Sequence, residues 1–201
     1  MTEIFKPVEF KQVIEKDYQD QIYSYLTDVN FNWHFMEDAT LENGIDNNSA
    51  LDGSNTPAFG NLIYYHKHEE NPHLDFFKPL INAVEKATNI KVDRLLRVRA
   101  GFLLNTKYIM HHQPYKHNTP HRDYEQEHYT VVYYANEADG ETVIFREVEK
   151  AAKYYPLHKS LPEKGKIVLF NGLHYHASTC PKIFTKRIAI TINFVGTLNA
   201  K

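Results

Sequence analysis

One cysteine, Cys180, in 201 residues excludes an internal disulfide and fits a reducing compartment. No apolar run approaches membrane-spanning length, and the N-terminus lacks the basic-then-apolar pattern of a signal peptide. Neither sign of charge dominates: 23 Lys and Arg stand against 25 Asp and Glu, for a net charge of -2. That balance gives no reason to expect a nucleic-acid or membrane partner. No internal repeat, low-complexity tract or composition shift divides the chain, and nothing in it specifies an oligomeric state. These absences predict a soluble, cytoplasmic protein forming one domain over residues 1–201.

What the chain has in quantity is aromatic and β-branched residues. In the first half, Tyr18, Ile22, Tyr25 and Leu26 recur at helical spacing, as do Phe77, Leu80, Ile81, Val84 and Ala87 around the early Pro79. Residues 1–16, with Val8, Phe10, Val13 and Ile14, are expected to start as a short strand and pass into helix, and short strands are expected at Phe31–Phe35 and at Phe59–Tyr65. Residues 37–58, rich in Asn, Asp, Gly and Ser, read as a long surface loop, either a solvated excursion or a lid. A strand over Leu95–Leu104 puts Leu96, Val98, Ala100 and Phe102 on one face. Arg97 and Arg99 fall on the other, read as cations on a solvated sheet face, with contact to an acidic substrate as the alternative.

From residue 121 onward the pattern is of strands only: Tyr129–Ala135, Glu141–Phe145, Ile167–Phe170 and a final run after Lys186. In that run Ile188, Ile190, Ile192 and Phe194 alternate with Arg187, Ala189, Thr191 and Asn193, as for a strand packed outward and lining a ligand-filled interior. Short antiparallel strands behind an N-terminal pair of helices predict a mainly β fold. Its core would be a double-stranded β-helix (jelly roll) over 95–198, buttressed by helices in the support region 1–94.

The chemistry concentrates at His121-Arg122-Asp123. Residues two apart on an extended strand point to one face, so His121 and Asp123 together can ligate a metal. With a second histidine they would make a 2-His-1-carboxylate facial triad. His174 and His176, some fifty residues downstream, both offer that ligand. Arg187, eleven residues past His176, can grip a carboxylate in a buried cavity with a two-pronged hydrogen bond that lysine cannot copy. His111, His112, His117 and His128 complete no such pattern and are read as surface or supporting histidines.

This order of His-X-Asp, His and Arg resembles the iron(II)/2-oxoglutarate-dependent dioxygenases over roughly residues 95–195. Val132–Asn136, Asp139–Phe145 and Arg187–Thr191 are similar to the second core strand, the next hairpin and the final arginine strand of their prolyl 4-hydroxylase-like branch. Gln113–Thr119 departs from it, standing where many relatives carry a glycine-containing tyrosine motif. The resemblance implies Fe(2+) held by His121, Asp123 and His176, the last chosen over His174 because Ala177-Ser178 follows it. It implies 2-oxoglutarate as cosubstrate, bound by Arg187 with Tyr134 and Thr142, and Thr191 on the same strand face as a further contact. Ascorbate is a candidate accessory reductant. No catalytic side chain beyond the metal ligands is implied.

The implied reaction hydroxylates a substrate while 2-oxoglutarate becomes succinate and carbon dioxide. The expected substrate is a prolyl or other amino-acid residue in a peptide or protein, with a small metabolite or nucleobase as alternatives within the class. A cupin-like jelly roll that binds metal without turnover is the alternative outside it. Such a protein would have no need of both Asp123 and a carboxylate-gripping arginine.

Overall fold

The computed structural model describes residues 6–37, 39, 56–68, 72–105 and 117–199. In chain order the elements are β1 (Val8–Phe10), α1 (Lys16–Thr27), β2 (His34–Met36), β3 (Ala58–Tyr65), α2 (Leu74–Thr88) and β4 (Ile90–Leu104). There follow β5 (Tyr129–Tyr134), β6 (Thr142–Phe145), β7 (Pro156–Ser160), β8 (Ile167–Asn171), β9 (His176–Ser178) and β10 (Lys186–Leu198).

Among the described residues ten strands form two antiparallel sheets, one ordered β1-β8-β5-β10-β4-β3-β2 and the other β7-β6-β9. Together they make a double-stranded β-helix. Two-residue periodicity sorts the large sheet's faces. Ile188, Ile190, Ile192 and Phe194 of β10, with Val98 and Ala100 of β4, pack against Ile22 and Leu26 of α1 and Phe77, Leu80 and Val84 of α2. The opposite face supplies Val132, Tyr134, Val168, Phe170 and Ala189 to a second core, closed by Ile144 of the small sheet. The helices therefore cover one face of the large sheet while the small sheet covers the other.

Sequence periodicity located both helices within a residue or two, because each buries an unmistakable stripe. Helix α2 accommodates Pro79 and stops at Asn89, whose φ of 57° is the left-handed conformation that ends helices. Other strands differ from expectation. Phe31 and Trp33 precede β2 rather than lying in it; their rings pack edge to face at 4.9 Å and Trp33 donates to the Leu26 carbonyl. Strand β4 begins five residues earlier than its apolar alternation suggests, because β10 supplies pairing partners down to Ile90. Strand β7, Pro-Leu-His-Lys-Ser, has no strand signature and is held by its pairing with β6. Most of the 37–58 stretch, read above as a loop or lid, lies outside the described residues, as do His111, His112 and most of Gln113–Thr119.

The turn leading into β10 is tied down by one carboxylate. Asp139 accepts hydrogen bonds from the backbone N–H groups of Lys182, Ile183 and Phe184 at 3.0–3.2 Å. Burial alone would raise its carboxyl, but these three donors hold it below the ordinary carboxylate value. A depressed folded value stabilises the fold above the unfolded carboxyl's range, about pH 4, and that contribution is lost as pH falls through the folded value. Asp139→Ala should therefore cost about 1–2 kcal/mol at pH 7 and progressively less in acid. Urea unfolding of both proteins at pH 7 and pH 3 measures this, and a deficit that stayed constant with pH would refute it.

Candidate metal centre and the cavity behind it

His121 and His176 are brought together by the main chain. They form a two-residue antiparallel bridge, His121 N–H to the His176 carbonyl at 3.0 Å and the reverse bond at 2.9 Å. Their rings lie with centroids 4.5 Å apart. Each Nδ1 faces a backbone carbonyl, Thr119 O at 3.1 Å for His121 and His174 O at 3.3 Å for His176. A carbonyl only accepts, so each Nδ1 carries the proton and each Nε2 presents a lone pair.

Both lone pairs point at Asp123, His121 Nε2 to Oδ1 and His176 Nε2 to Oδ2, each at 3.7 Å. One ligand atom from each of the three residues falls within 4.8 Å of the others. Among the described residues no other group of histidine, cysteine, aspartate and glutamate side chains meets that condition. Two imidazole nitrogens and one carboxylate oxygen, crowded with no proton between them, suit a divalent transition metal. His174, the alternative third ligand, is buried outside this cluster.

The protonation states fit as well. Burial pushes the His176 imidazole down to about 4 and lowers that of His121, so both are neutral and free to donate a lone pair at pH 7. Burial alone would raise the Asp123 carboxyl, but the Arg97 guanidinium, the two imidazoles and Asn193 hold it well below the usual carboxylate range.

Arg97 therefore does not sit on a solvated face. It is 4% exposed, with Nη2 2.6 Å from Asp123 Oδ1. Its strand face turns into the β-helix rather than toward water, and an arginine buried there needs a carboxylate. Arg99, on the same face, lines the cavity and donates to the Ala39 carbonyl at 3.3 Å.

Behind the triad a cavity is lined by Arg187, Thr142, Val132, Ala189 and Thr191. Arg187 is buried, donating from Nε to the Gly140 carbonyl at 2.9 Å and from Nη2 to Thr142 Oγ1 at 2.8 Å. Gly140 is needed there, since a Cβ would lie 2.4 Å from the Thr179 carbonyl oxygen. Burial lowers the guanidinium's affinity for its proton, though arginine stays charged at any accessible pH. Among the described residues no carboxylate lies within ion-pair distance of Arg187. A buried cation facing a cavity without a counter-ion is costly alone and suits an anionic ligand that shares the cavity with a metal. The distal carboxylate of 2-oxoglutarate meets that requirement.

Of the other residues expected here, Thr142 and Thr191 line the cavity. Tyr134 stands one layer back: its hydroxyl donates to Thr142 Oγ1 at 2.8 Å, and the Arg187 guanidinium lies 5.6 Å from its ring centre. The tyrosine thus fixes Thr142 and Arg187 rather than facing the cavity. His117 and His128 bond to neighbouring carbonyls outside the cluster. The residues that sequence reading missed are Arg97, Asn193 and Gly140. Its place on the inward face of β10, in line with Arg187 and Thr191, was the available signal for Asn193.

Comparison with known proteins agrees with this geometry. Residues 105–195 match the family model of the 2OG-Fe(II) oxygenase superfamily. No curated protein sequence matches the chain. Among solved structures, an oxidoreductase of the 2OG-Fe(II) oxygenase family from Burkholderia pseudomallei is similar at 12% identity and TM-score 0.65, covering 98% of this chain and 89% of its own. A prolyl hydroxylase from Trichoplax adhaerens, in complex with a hypoxia-inducible-factor peptide fragment, is similar at 12% identity and TM-score 0.59, over 94% of this chain and 79% of its own. The epimerase SnoN from nogalamycin biosynthesis, a non-haem alpha-ketoglutarate-dependent enzyme, is similar at 8% identity and TM-score 0.61, over 94% and 78%. At these identities the three structures establish the shared fold.

Proposed function

We propose that this chain, whose residues 105–195 match the family model of the 2OG-Fe(II) oxygenase superfamily, is such an oxygenase and hydroxylates a prolyl or other amino-acid residue within a peptide or protein. In this reading His121, Asp123 and His176 hold Fe(II), and Arg187 binds the distal carboxylate of 2-oxoglutarate. Thr142 and Thr191 line the path between them, and Tyr134 keeps Thr142 and Arg187 in register. Bound together, Fe(II) and 2-oxoglutarate supply the oxygen-activating chemistry, with succinate and carbon dioxide as coproducts.

The side chains bind, orient and exclude water. Neutral imidazoles and an ionised Asp123 present three lone pairs on one side of the metal position, leaving the cavity side for cosubstrate and oxygen. Val132 and Ala189 give the cavity wall an apolar surface against which the cosubstrate's carbon chain would pack. The observation that carries the reading is Arg187: a buried guanidinium with no carboxylate partner among the described residues, opening onto the cavity that also holds the triad. The choice of a peptide substrate rests on likeness to the prolyl hydroxylase branch, one member of which is known with a peptide bound.

The test has two stages. Anaerobic addition of Fe(II) and 2-oxoglutarate should give the visible charge-transfer absorption of a metal-chelated 2-oxoacid. Aerobic succinate formation should then rise when proline-containing peptides are added, with one oxygen atom gained per peptide by mass spectrometry. Stimulation by small metabolites and by no peptide would remove the peptide assignment while keeping the enzyme class.

A further inference from the structure

Asp123 is held differently from its two neighbours in the triad. His121 and His176 are fixed to each other by main-chain bonds, whereas Asp123 lies between strands in the segment linking β4 to β5. Its position comes from side chains on the large sheet. Arg97, Asn193 and Thr130 sit directly opposite one another on the adjacent strands β4, β10 and β5. Arg97 Nε donates to Asn193 Oδ1 at 3.0 Å, and Asn193 Nδ2 donates to Thr130 Oγ1 at 3.0 Å. From this row two donors rise to the carboxylate, Arg97 Nη2 to Oδ1 at 2.6 Å and Asn193 Nδ2 to Oδ2 at 2.8 Å. Asn193 and Thr130 are fully buried and Arg97 nearly so, so water cannot substitute for a lost donor without entering the core.

We propose that Arg97 and Asn193 are positioning residues that clamp one oxygen of Asp123 each and hold it as a one-oxygen ligand in a fixed orientation. This inference rests on the metal site proposed above. A carboxylate on a connecting segment outside the sheets is free to rotate about χ2 and to swing both oxygens onto a metal, which would occupy a position needed by cosubstrate or oxygen. With one donor taken by each oxygen, rotation breaks two charge-assisted hydrogen bonds together. The paired strands set the spacing of the donors, so the sheet itself dictates the carboxylate's plane. Partners of this kind around metal ligands typically matter about 10- to 100-fold in metal affinity.

The test uses Co(II) as a spectroscopic probe in the full-length protein without 2-oxoglutarate. Arg97→Lys keeps the positive charge but cannot serve both Asp123 and Asn193, and Asn193→Ala keeps the arginine but removes the second donor. Each should weaken Co(II) binding by roughly 10- to 100-fold and alter its visible ligand-field spectrum. Variants that stay folded, with wild-type Co(II) affinity and spectrum, would overturn the clamp. Wild-type affinity in Arg97→Lys alone would reduce arginine to a counter-charge and overturn the clamp as stated. Should either variant fail to fold, X-ray absorption of the wild-type Co(II) form decides: a carboxylate carbon close to the metal, the mark of two-oxygen binding, overturns the proposal. Failure of the wild-type protein to bind Co(II) at all would instead overturn the metal site, and the clamp with it.

Discussion

Arg187→Met is expected to weaken 2-oxoglutarate binding by ~2–5 kcal/mol, roughly 30-fold to 4,000-fold, while leaving metal affinity unchanged. The size follows from burial. The guanidinium is 6% exposed and spends two of its donors on Gly140 and Thr142, an arrangement that fixes the group before any ligand arrives. A cosubstrate carboxylate entering that end of the cavity without the Arg187 guanidinium loses water and gains no ion pair there in return. Methionine fills a similar volume, so the cavity wall is kept.

Arg187→Lys is expected to rescue little. An ammonium on a flexible stem cannot reproduce the planar fork that bonds Gly140, Thr142 and a carboxylate together. The fold should tolerate Arg187→Met. Removing an uncompensated buried charge offsets the loss of two hydrogen bonds, so the thermal midpoint of the cosubstrate-free protein should move by less than about 4 °C. Anaerobic calorimetric titration of 2-oxoglutarate into the metal-loaded proteins measures the main effect. Unchanged affinity would mean that the carboxylate is recognised elsewhere.

The second large effect concerns stability before any metal binds. Asp123→Ala should cost about 3–5 kcal/mol in the metal-free protein, because it takes the Asp123 carboxylate away from the buried Arg97 guanidinium. For a chain of this length that corresponds to a fall of roughly 6–20 °C in thermal midpoint. His176→Ala removes a metal ligand too, but the imidazole it deletes is neutral at pH 7, so no charge is stranded. Both variants should lose metal binding, and only the aspartate variant should lose most of its stability. Adding Arg97→Met to Asp123→Ala should restore much of the deficit, the signature of a coupled pair in a double-mutant cycle. Calorimetry on the four proteins, stripped with a chelator, measures it. Equal stability of Asp123→Ala and His176→Ala would show that the Arg97 pair contributes nothing in the absence of metal.

The contrast between these residues indicates how the fold divides its labour. The long central strand β10 supplies Arg187 at one end and Asn193 near the middle, six residues apart on one face. In the proposed reading, cosubstrate recognition and carboxylate positioning are thus both set by the register of one strand. A slip by one residue would turn Arg187, Thr191 and Asn193 to the helix-covered face and bury them among isoleucines. The apolar alternation of Ile188, Ile190, Ile192 and Phe194 makes that slip prohibitively costly.

Much of this was legible in residue order. Helical and two-residue periodicities gave the helices, most strands and the inward face of β10, because burial of an apolar stripe is a local pattern that the chain writes directly. The spacing of His121, Asp123, His176 and Arg187 suggested a metal with a carboxylate-bearing partner. Other features had no local signal. Strand β7 exists because β6 offers it an edge, and β4 runs on to Ile90 because β10 does.

The sequence by itself determined the helices, most strands and the chemistry of the donors, since each depends on residue type at short range. Only the tertiary structure decided that Arg97 belongs to Asp123, that Tyr134 stands behind Thr142, and that Asn193 joins three strands to one carboxylate. Those facts depend on which strands pair and in what register. Register is fixed by the whole buried interface together, not by any segment alone.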